Sequence, residues 1–201
     1  MNAEAYTKWV ADKGDSFLRL EYPLSKKSIV FDLGGYKGRF SEQIFNKYKC
    51  TIYCFEPVYS FYKVLEQKFC SNPHIFVFNL AIIGTTDKQK WIVLDEDKTS
   101  SYIVGKDKVK VECARLGEVM YCLMVDHIDL LKINIEGDEY GVLKYMIEHN
   151  LITKCTDIQV QFHTFVNLYE EKYEWLHDKL KQTHELTYKY PFVWENWRLK
   201  Q

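Results

Sequence analysis

The sequence predicts an α/β fold, with a mostly parallel sheet, helices on both faces and an antiparallel hairpin at the end. Three observations carry this. Apolar runs of strand length alternate with stretches of helical apolar spacing through the first half of the chain. A glycine-rich turn follows the first of those strands, in Ile29-Val30-Phe31-Asp32-Leu33-Gly34-Gly35-Tyr36-Lys37-Gly38. Two aromatic strand-like runs close the chain with no helix between them, which places an antiparallel pair at a sheet edge.

Taken in order, residues 3–12 read as a short leading helix and residues 28–32 as the first strand. Residues 38–48 set Phe40, Ile44, Phe45 and Tyr48 at helical spacing. Residues 51–56 are the next strand, 59–69 the next helix, and 74–82 a strand that breaks at Gly84. Two more strands, 90–95 and 108–116, flank a polar loop. Residues 127–136 form a largely apolar strand turning at Gly137, and Asp138 or Glu139 opens a helix that runs to about Glu148. A strand over 157–163, an amphipathic helix over 167–182, and strands over 184–190 and 192–200 complete the chain. The βαβαβ alternation argues for a parallel sheet covered on both faces.

At 201 residues the chain suits one domain. It divides into a helical lead-in (1–27), a core (28–163) and a terminal helix with an aromatic hairpin (164–201). The formal net charge of -1 gives no field that favours nucleic acid or an anionic membrane. The first residues show no signal-peptide pattern, and the apolar runs fall short of a membrane span. The six cysteines are scattered without a CxxC pair, so no zinc site is expected, and reduced thiols in a cytoplasmic protein are the economical reading.

The glycine turn carries the chemistry. A strand, a tight turn and a helix N-terminus form a ready nucleotide-binding place. A dinucleotide fingerprint needs a third, earlier glycine, where this chain has Leu33. Asp32 would repel a pyrophosphate yet could hold a cationic amino group. S-adenosylmethionine, with an ammonium, a sulfonium and no phosphate, therefore fits better. Glu56 ends the second strand, 24 residues after Asp32, where a carboxylate can accept ribose hydroxyls.

The motifs FDLGGYKG, CFEPVYSFYKVL, NLAI and DLLKINIEGDEYGVLKYM, in that order, resemble the FkbM family of methyltransferases. The likeness runs from about Ser28 to His163, and the tail YPFVWENWRLK resembles endings in that family. The resemblance implies a class I methyltransferase (Rossmann-like) fold with a seven-stranded sheet, S-adenosylmethionine as cofactor, and mostly O-methylation of small molecules, sugars among them. By the same resemblance the cofactor turn maps to Asp32, Gly34, Gly35, Tyr36 and Gly38, and the ribose acid to Glu56 with Pro57. Asn79 and Ala81 fall near the adenine, and Ser100 and Ser101 in a serine-containing loop. Lys132, Asn134 and Glu136 match the motif on the fourth strand, where the family usually has Asp in place of Asn134. The segment before that strand is shorter than in the family.

Lys132 and Glu136 read either as a structural ion pair and helix-end acid or as groups facing the catalytic crevice. His163, at the carboxyl end of a strand, is the candidate base for a hydroxyl proton, with Glu136 orienting it or the acceptor. The tail aromatics Tyr188, Tyr190, Phe192, Trp194 and Trp197 read first as core packing and second as a wall against a sugar ring. The expected function is O-methylation of a saccharide or glycosylated metabolite. Rivals are methylation of an amine or another hydroxyl, and a non-catalytic cofactor-binding partner subunit. A chain this short leaves little room for an acceptor-binding insertion, so the acceptor is large or a second subunit, as in a homo-oligomer, completes the site.

Overall fold

The computed structural model describes residues 2–94 and 107–201. After helix α1 (Ala3–Ala11), the chain alternates β1 (Ile29–Leu33), α2 (Arg39–Tyr48), β2 (Thr51–Phe55), α3 (Tyr59–Phe69) and β3 (Ile75–Phe78). Next come β4 (Ala81–Ile83), β5 (Gln89–Leu94), β6 (Asp107–Arg115) and α4 (Leu116–Cys122). The last third holds β7 (Ile128–Ile133), α5 (Glu139–Glu148), β8 (Cys155–Val160), α6 (Tyr169–Thr183), β9 (His184–Tyr190) and β10 (Trp194–Leu199). The main sheet has seven strands in the order β3-β2-β1-β7-β8-β10-β9. β3, β2, β1, β7 and β8 pair in parallel, and β10 runs antiparallel to both β8 and β9. A smaller sheet has the order β4-β6-β5. Among the described residues no helix is long and apolar enough to cross a membrane.

Strand β1 shows how sequence alternation builds two layers. Phe31 and Leu33 pack with Val142, Leu143 and Met146 of α5 and Leu176 and Leu180 of α6. Val30 points the other way, into a cluster with Phe40 and Ile44 of α2 and Leu65 and Phe69 of α3. Asp32 shares that second face and meets Ser41 of α2. The sheet thus carries α4, α5 and α6 on one side and α2 and α3 on the other. Trp9 of α1 is buried against Tyr190 and Trp194, with its ring edge-on to Tyr190 at 5.0 Å, and this covers the terminal hairpin. Trp197 is wholly buried in the main core. The tail aromatics therefore serve packing, and none lines the cavity at the carboxyl ends of the strands described below.

Three boundaries differ from the sequence reading, each for a local reason. The run 74–82 divides between two sheets. Asn79 sits at the break, and its Nδ2 donates to the carbonyls of Glu56 and Pro57. Residues 116–122 form α4 instead of extending a strand and a short link. Leu116, Val119 and Met120 bury one side of α4. Its start is capped by the Glu118 carboxylate, which accepts from the Arg115 backbone N–H and guanidinium. Finally, β7 stops at Ile133, so residues 134–138 leave the ladder as a loop.

Backbone approaches explain two glycines. Gly34, at φ +85°, lies where a Cβ would stand 1.9 Å from the Asn134 carbonyl oxygen, so the turn presses directly on the loop after β7. A Cβ on Gly84, just past β4, would stand 2.0 Å from the carbonyl oxygen of Gly141 in α5.

Candidate active site

Parallel strands ending together at one sheet edge, where successive connections diverge to opposite faces, leave a crevice there. In this protein it is a cavity of about 250 Å³. The β1 turn contributes Gly34 and Tyr36, the end of β2 contributes Glu56 and Pro57, and the loop after β7 contributes Asn134, Glu136 and Asp138. Phe55, Phe61, Leu80, Ala81 and Ile82 form apolar walls, and Lys90 to Val93 of β5 close the fourth side.

Glu56 is 5% exposed, and burial raises its pKa, partly opposed by backbone N–H groups that bind the charged form. Those groups are Tyr36 N–H, donating to Oε2 at 2.8 Å, and Val58 N–H, donating to Oε1 at 2.9 Å. Each oxygen keeps further lone-pair capacity for a ligand hydroxyl. Burial also raises the Asp138 carboxyl, and the ion pair with Lys90 opposes it. Among the described residues, the charge on the cavity wall is three carboxylates (Glu56, Glu136, Asp138) to one ammonium (Lys90). That balance suits a cationic ligand and opposes a pyrophosphate. Asn134 adds a buried Oδ1 without a hydrogen-bond partner among the described residues, an acceptor whose desolvation a ligand N–H or O–H would offset. Apolar walls for a base, open acceptors for hydroxyls and acidic charge for a cation fit S-adenosylmethionine.

Asp32 does not reach this cavity. It is wholly buried; its Oδ1 accepts from Lys132 Nζ at 2.8 Å and its Oδ2 from Ser41 Oγ at 2.6 Å. Lys132 Nζ also donates to the carbonyls of Leu33 at 3.1 Å and Gly34 at 2.7 Å. The direct hold on a ligand ammonium expected of Asp32, and the crevice-facing position considered for Lys132, are therefore not what the structure places. The pair forms a floor under the glycine turn, because a charge in the sheet interior must find a partner. Gly35 packs against Cys54 and Leu65, and Gly38 caps the start of α2, so both shape the turn from behind. Asn79 holds the backbone of Glu56 and Pro57 from outside the cavity. Ser100 and Ser101 lie outside the described residues.

His163 sits beside the cavity between two carboxylates. Its Nδ1 is 2.9 Å from Glu139 Oε1, which also accepts the His163 backbone N–H at 2.8 Å. Glu139 is fully buried, and its Oε2 accepts the Gly137 N–H at 2.9 Å. Nε2 faces Glu136 Oε2 at 3.4 Å. Burial draws the imidazole pKa down, but the hydrogen bond to Glu139 and the charges of Glu139 and Glu136 outweigh it, and the net direction is up. Glu136 holds φ +53°, a left-handed backbone position that an acid takes at a cost and that turns the chain from β7 toward α5. Sequence reasoning missed Glu139, whose place in G-D-E before a helix reads as an ordinary first-turn acid. It also missed Lys90, which lies in a separate strand whose side of the sheet no local pattern reveals.

A seven-stranded sheet in this order, with an antiparallel strand beside its terminal edge and a cofactor crevice at the carboxyl ends of β1, β2 and β7, defines a class I methyltransferase. Solved structures agree on the fold. An rRNA methylase from Streptococcus thermophilus aligns with a TM-score of 0.55 at 9% identity, covering 89% of this chain and 90% of that one. A putative rRNA-methylase from Clostridium thermocellum aligns with a TM-score of 0.57 at 7% identity, covering 95% and 96%. The Aeropyrum pernix fibrillarin, solved with natively bound S-adenosyl-L-methionine, aligns with a TM-score of 0.51 at 12% identity, covering 92% and 74%. No curated protein sequence matches the chain. The Methyltransferase FkbM domain matches over residues 32–190, and the chain belongs to that family. It is an S-adenosylmethionine-dependent methyltransferase.

Proposed function

We propose that the protein O-methylates a small molecule and that the acceptor is a hydroxyl of a saccharide or glycosylated metabolite. The observation that carries the chemistry is the Glu139–His163–Glu136 arrangement beside the cavity. When bound, S-adenosylmethionine supplies an electrophilic methyl group and leaves as a neutral thioether. Tyr36, Glu56 and Asn134 would hold it, with Ala81 and Phe61 offering apolar surface to the base. Glu139 accepts a hydrogen bond from Nδ1–H and so fixes the tautomer that carries its lone pair on Nε2. Nε2 accepts the hydroxyl proton as the acceptor oxygen gains its methyl. Glu136 stabilises the imidazolium that results, and the cavity walls exclude water. The near-neutral net charge argues against a polyanionic partner such as RNA, and the six free thiols suit the reducing cytoplasm.

Transfer of labelled methyl from S-adenosylmethionine to panels of saccharides, other alcohols and amines tests this. Label in a saccharide ether, lost by at least a hundredfold in His163→Ala while S-adenosylhomocysteine still binds, is expected. Label only in amines, or full activity in His163→Ala, would sink it.

A further inference from the structure

We propose that the groove between α5 and α6 is the acceptor site and that it holds one saccharide unit, an assignment that rests on the hydroxyl chemistry proposed above. The groove has a volume of about 570 Å³. Trp175, Lys172 and Glu171 from α6 face Lys144 and Glu148 from α5 across it, and Asp138 stands at its head. Asp138 also lines the cofactor cavity, so the two spaces meet at that residue. The segment after β8 borders the same junction. Tyr140, in the groove wall, donates its hydroxyl to the His163 carbonyl at 3.0 Å. Val166 lines the groove, and the Phe165 ring centre is 5.2 Å from that of His163. Glu136, whose carboxylate is 3.4 Å from His163 Nε2, lines the cofactor cavity together with Asp138 and links the junction to the imidazole.

The lining selects the ligand class. A pyranose presents one C–H face and a rim of hydroxyls that both donate and accept. Trp175, 36% exposed, offers a platform for the face. Carboxylates and ammonium groups interleaved around it match the rim from both sides of the hydrogen bond. Three carboxylates against two lysines oppose a polyanion, and an apolar ligand would strip water from five charged groups without return. The Lys90–Asp138 ion pair stands at the junction, where an entering hydroxyl can insert against the Asp138 carboxylate.

The tryptophans supply an internal control. Of the five, Trp9, Trp194 and Trp197 are buried, Trp91 lines the cofactor cavity and Trp175 the groove. Indole N–H resonances of the 15N-labelled full chain, assigned with Trp175→Phe and Trp91→Phe, are followed through two titrations. S-adenosylhomocysteine is expected to move Trp91 and leave Trp175 in place. Methyl glycosides of glucose, galactose, mannose, rhamnose and N-acetylglucosamine, added next, are expected to move Trp175, with at least tenfold weaker binding in Trp175→Ala. A Trp175 signal that ignores every glycoside overturns the groove assignment, and one that answers only to a dinucleoside monophosphate or a simple amine overturns the ligand class. A Trp91 signal that ignores S-adenosylhomocysteine overturns the cofactor placement alone. Glycosides that bind at Trp175 without becoming methylated in the presence of S-adenosylmethionine refute the hydroxyl chemistry and, with it, the groove as acceptor site, and leave it a saccharide-binding site alone.

Discussion

Lys132→Met removes the ammonium that joins Asp32 to the glycine turn. The pair is enclosed, with side-chain exposures of 4% for Lys132 and 0% for Asp32. Loss of Nζ leaves the carboxylate with the Ser41 hydroxyl as its remaining strong donor, and the Gly34 carbonyl without its 2.7 Å donor. Breaking a buried pair from one side costs about 3–5 kcal/mol, because the survivor is an unneutralised charge out of water. Against a total of about 5–15 kcal/mol this is a large share, and for a chain of this length it lowers the Tm by roughly 10 °C. Adding Asp32→Asn removes the stranded charge, so the double variant should recover about half of the loss, a non-additivity that a double-mutant cycle reads directly. Urea unfolding followed by tryptophan fluorescence measures all four proteins. Binding of S-adenosylhomocysteine should weaken in Lys132→Met although Lys132 does not line the cavity, since the turn above it loses support. A single variant within about 1 kcal/mol of the parent, or a double variant no better than the single, would refute the floor as a coupled ion pair.

The site yields further outcomes that can be measured. Glu56→Ala removes the acceptor of two backbone N–H groups and of the ligand hydroxyls, so S-adenosylhomocysteine affinity by calorimetry should fall about 10- to 100-fold, with Glu56→Gln between it and the parent. The His163 pKa is raised, and a base works only when neutral, so the transfer rate should climb as pH passes above the usual histidine value and then level off. Glu139→Gln takes away the largest raising influence, so its rate profile should level off at lower pH and at a lower plateau; an unmoved profile counts against His163 as the base. The same raised value makes His163 a stabilising cation that contributes fully below its unfolded pKa and is lost as pH rises through the folded one.

The sheet and helices were legible because β1, α2, β2 and α3 each carry their own period and their own stop signals. Residues 29–33 alternate toward two cores, and the turn after them is written in glycines. α4 escaped because its three apolar anchors surround Gly117, which weakens a helical signal, and because its cap uses Arg115 where Ser, Thr, Asp or Asn is usual. Position near the carboxyl ends of strands pointed to Glu56 and Glu136, which line the cavity, and to His163, which stands beside Glu136. The role of Asp32 was not, because the direction of its carboxylate depends on Lys132, a hundred residues further along the chain. Glu139 and Lys90 depend on tertiary neighbours in the same way, since one meets His163 from a helix start and the other meets Asp138 from a separate sheet.

The seam at Gly84 and Gly141 sets the aperture of the cofactor cavity in main-chain dimensions. Gly84 follows β4, which lines one wall, and Gly141 lies in α5, just after the loop that lines another, so their spacing holds the two walls at a fixed distance. The seam is asymmetric: a methyl on Gly84 meets a carbonyl oxygen at 2.0 Å, whereas one on Gly141 finds its nearest neighbour at an ordinary 3.8 Å. Variation at residue 141 is therefore open to the chain and variation at residue 84 is not. Retuning this scaffold for a larger or smaller acceptor has to proceed through the side chains of α5 and α6, with the cofactor chamber kept as a constant gauge.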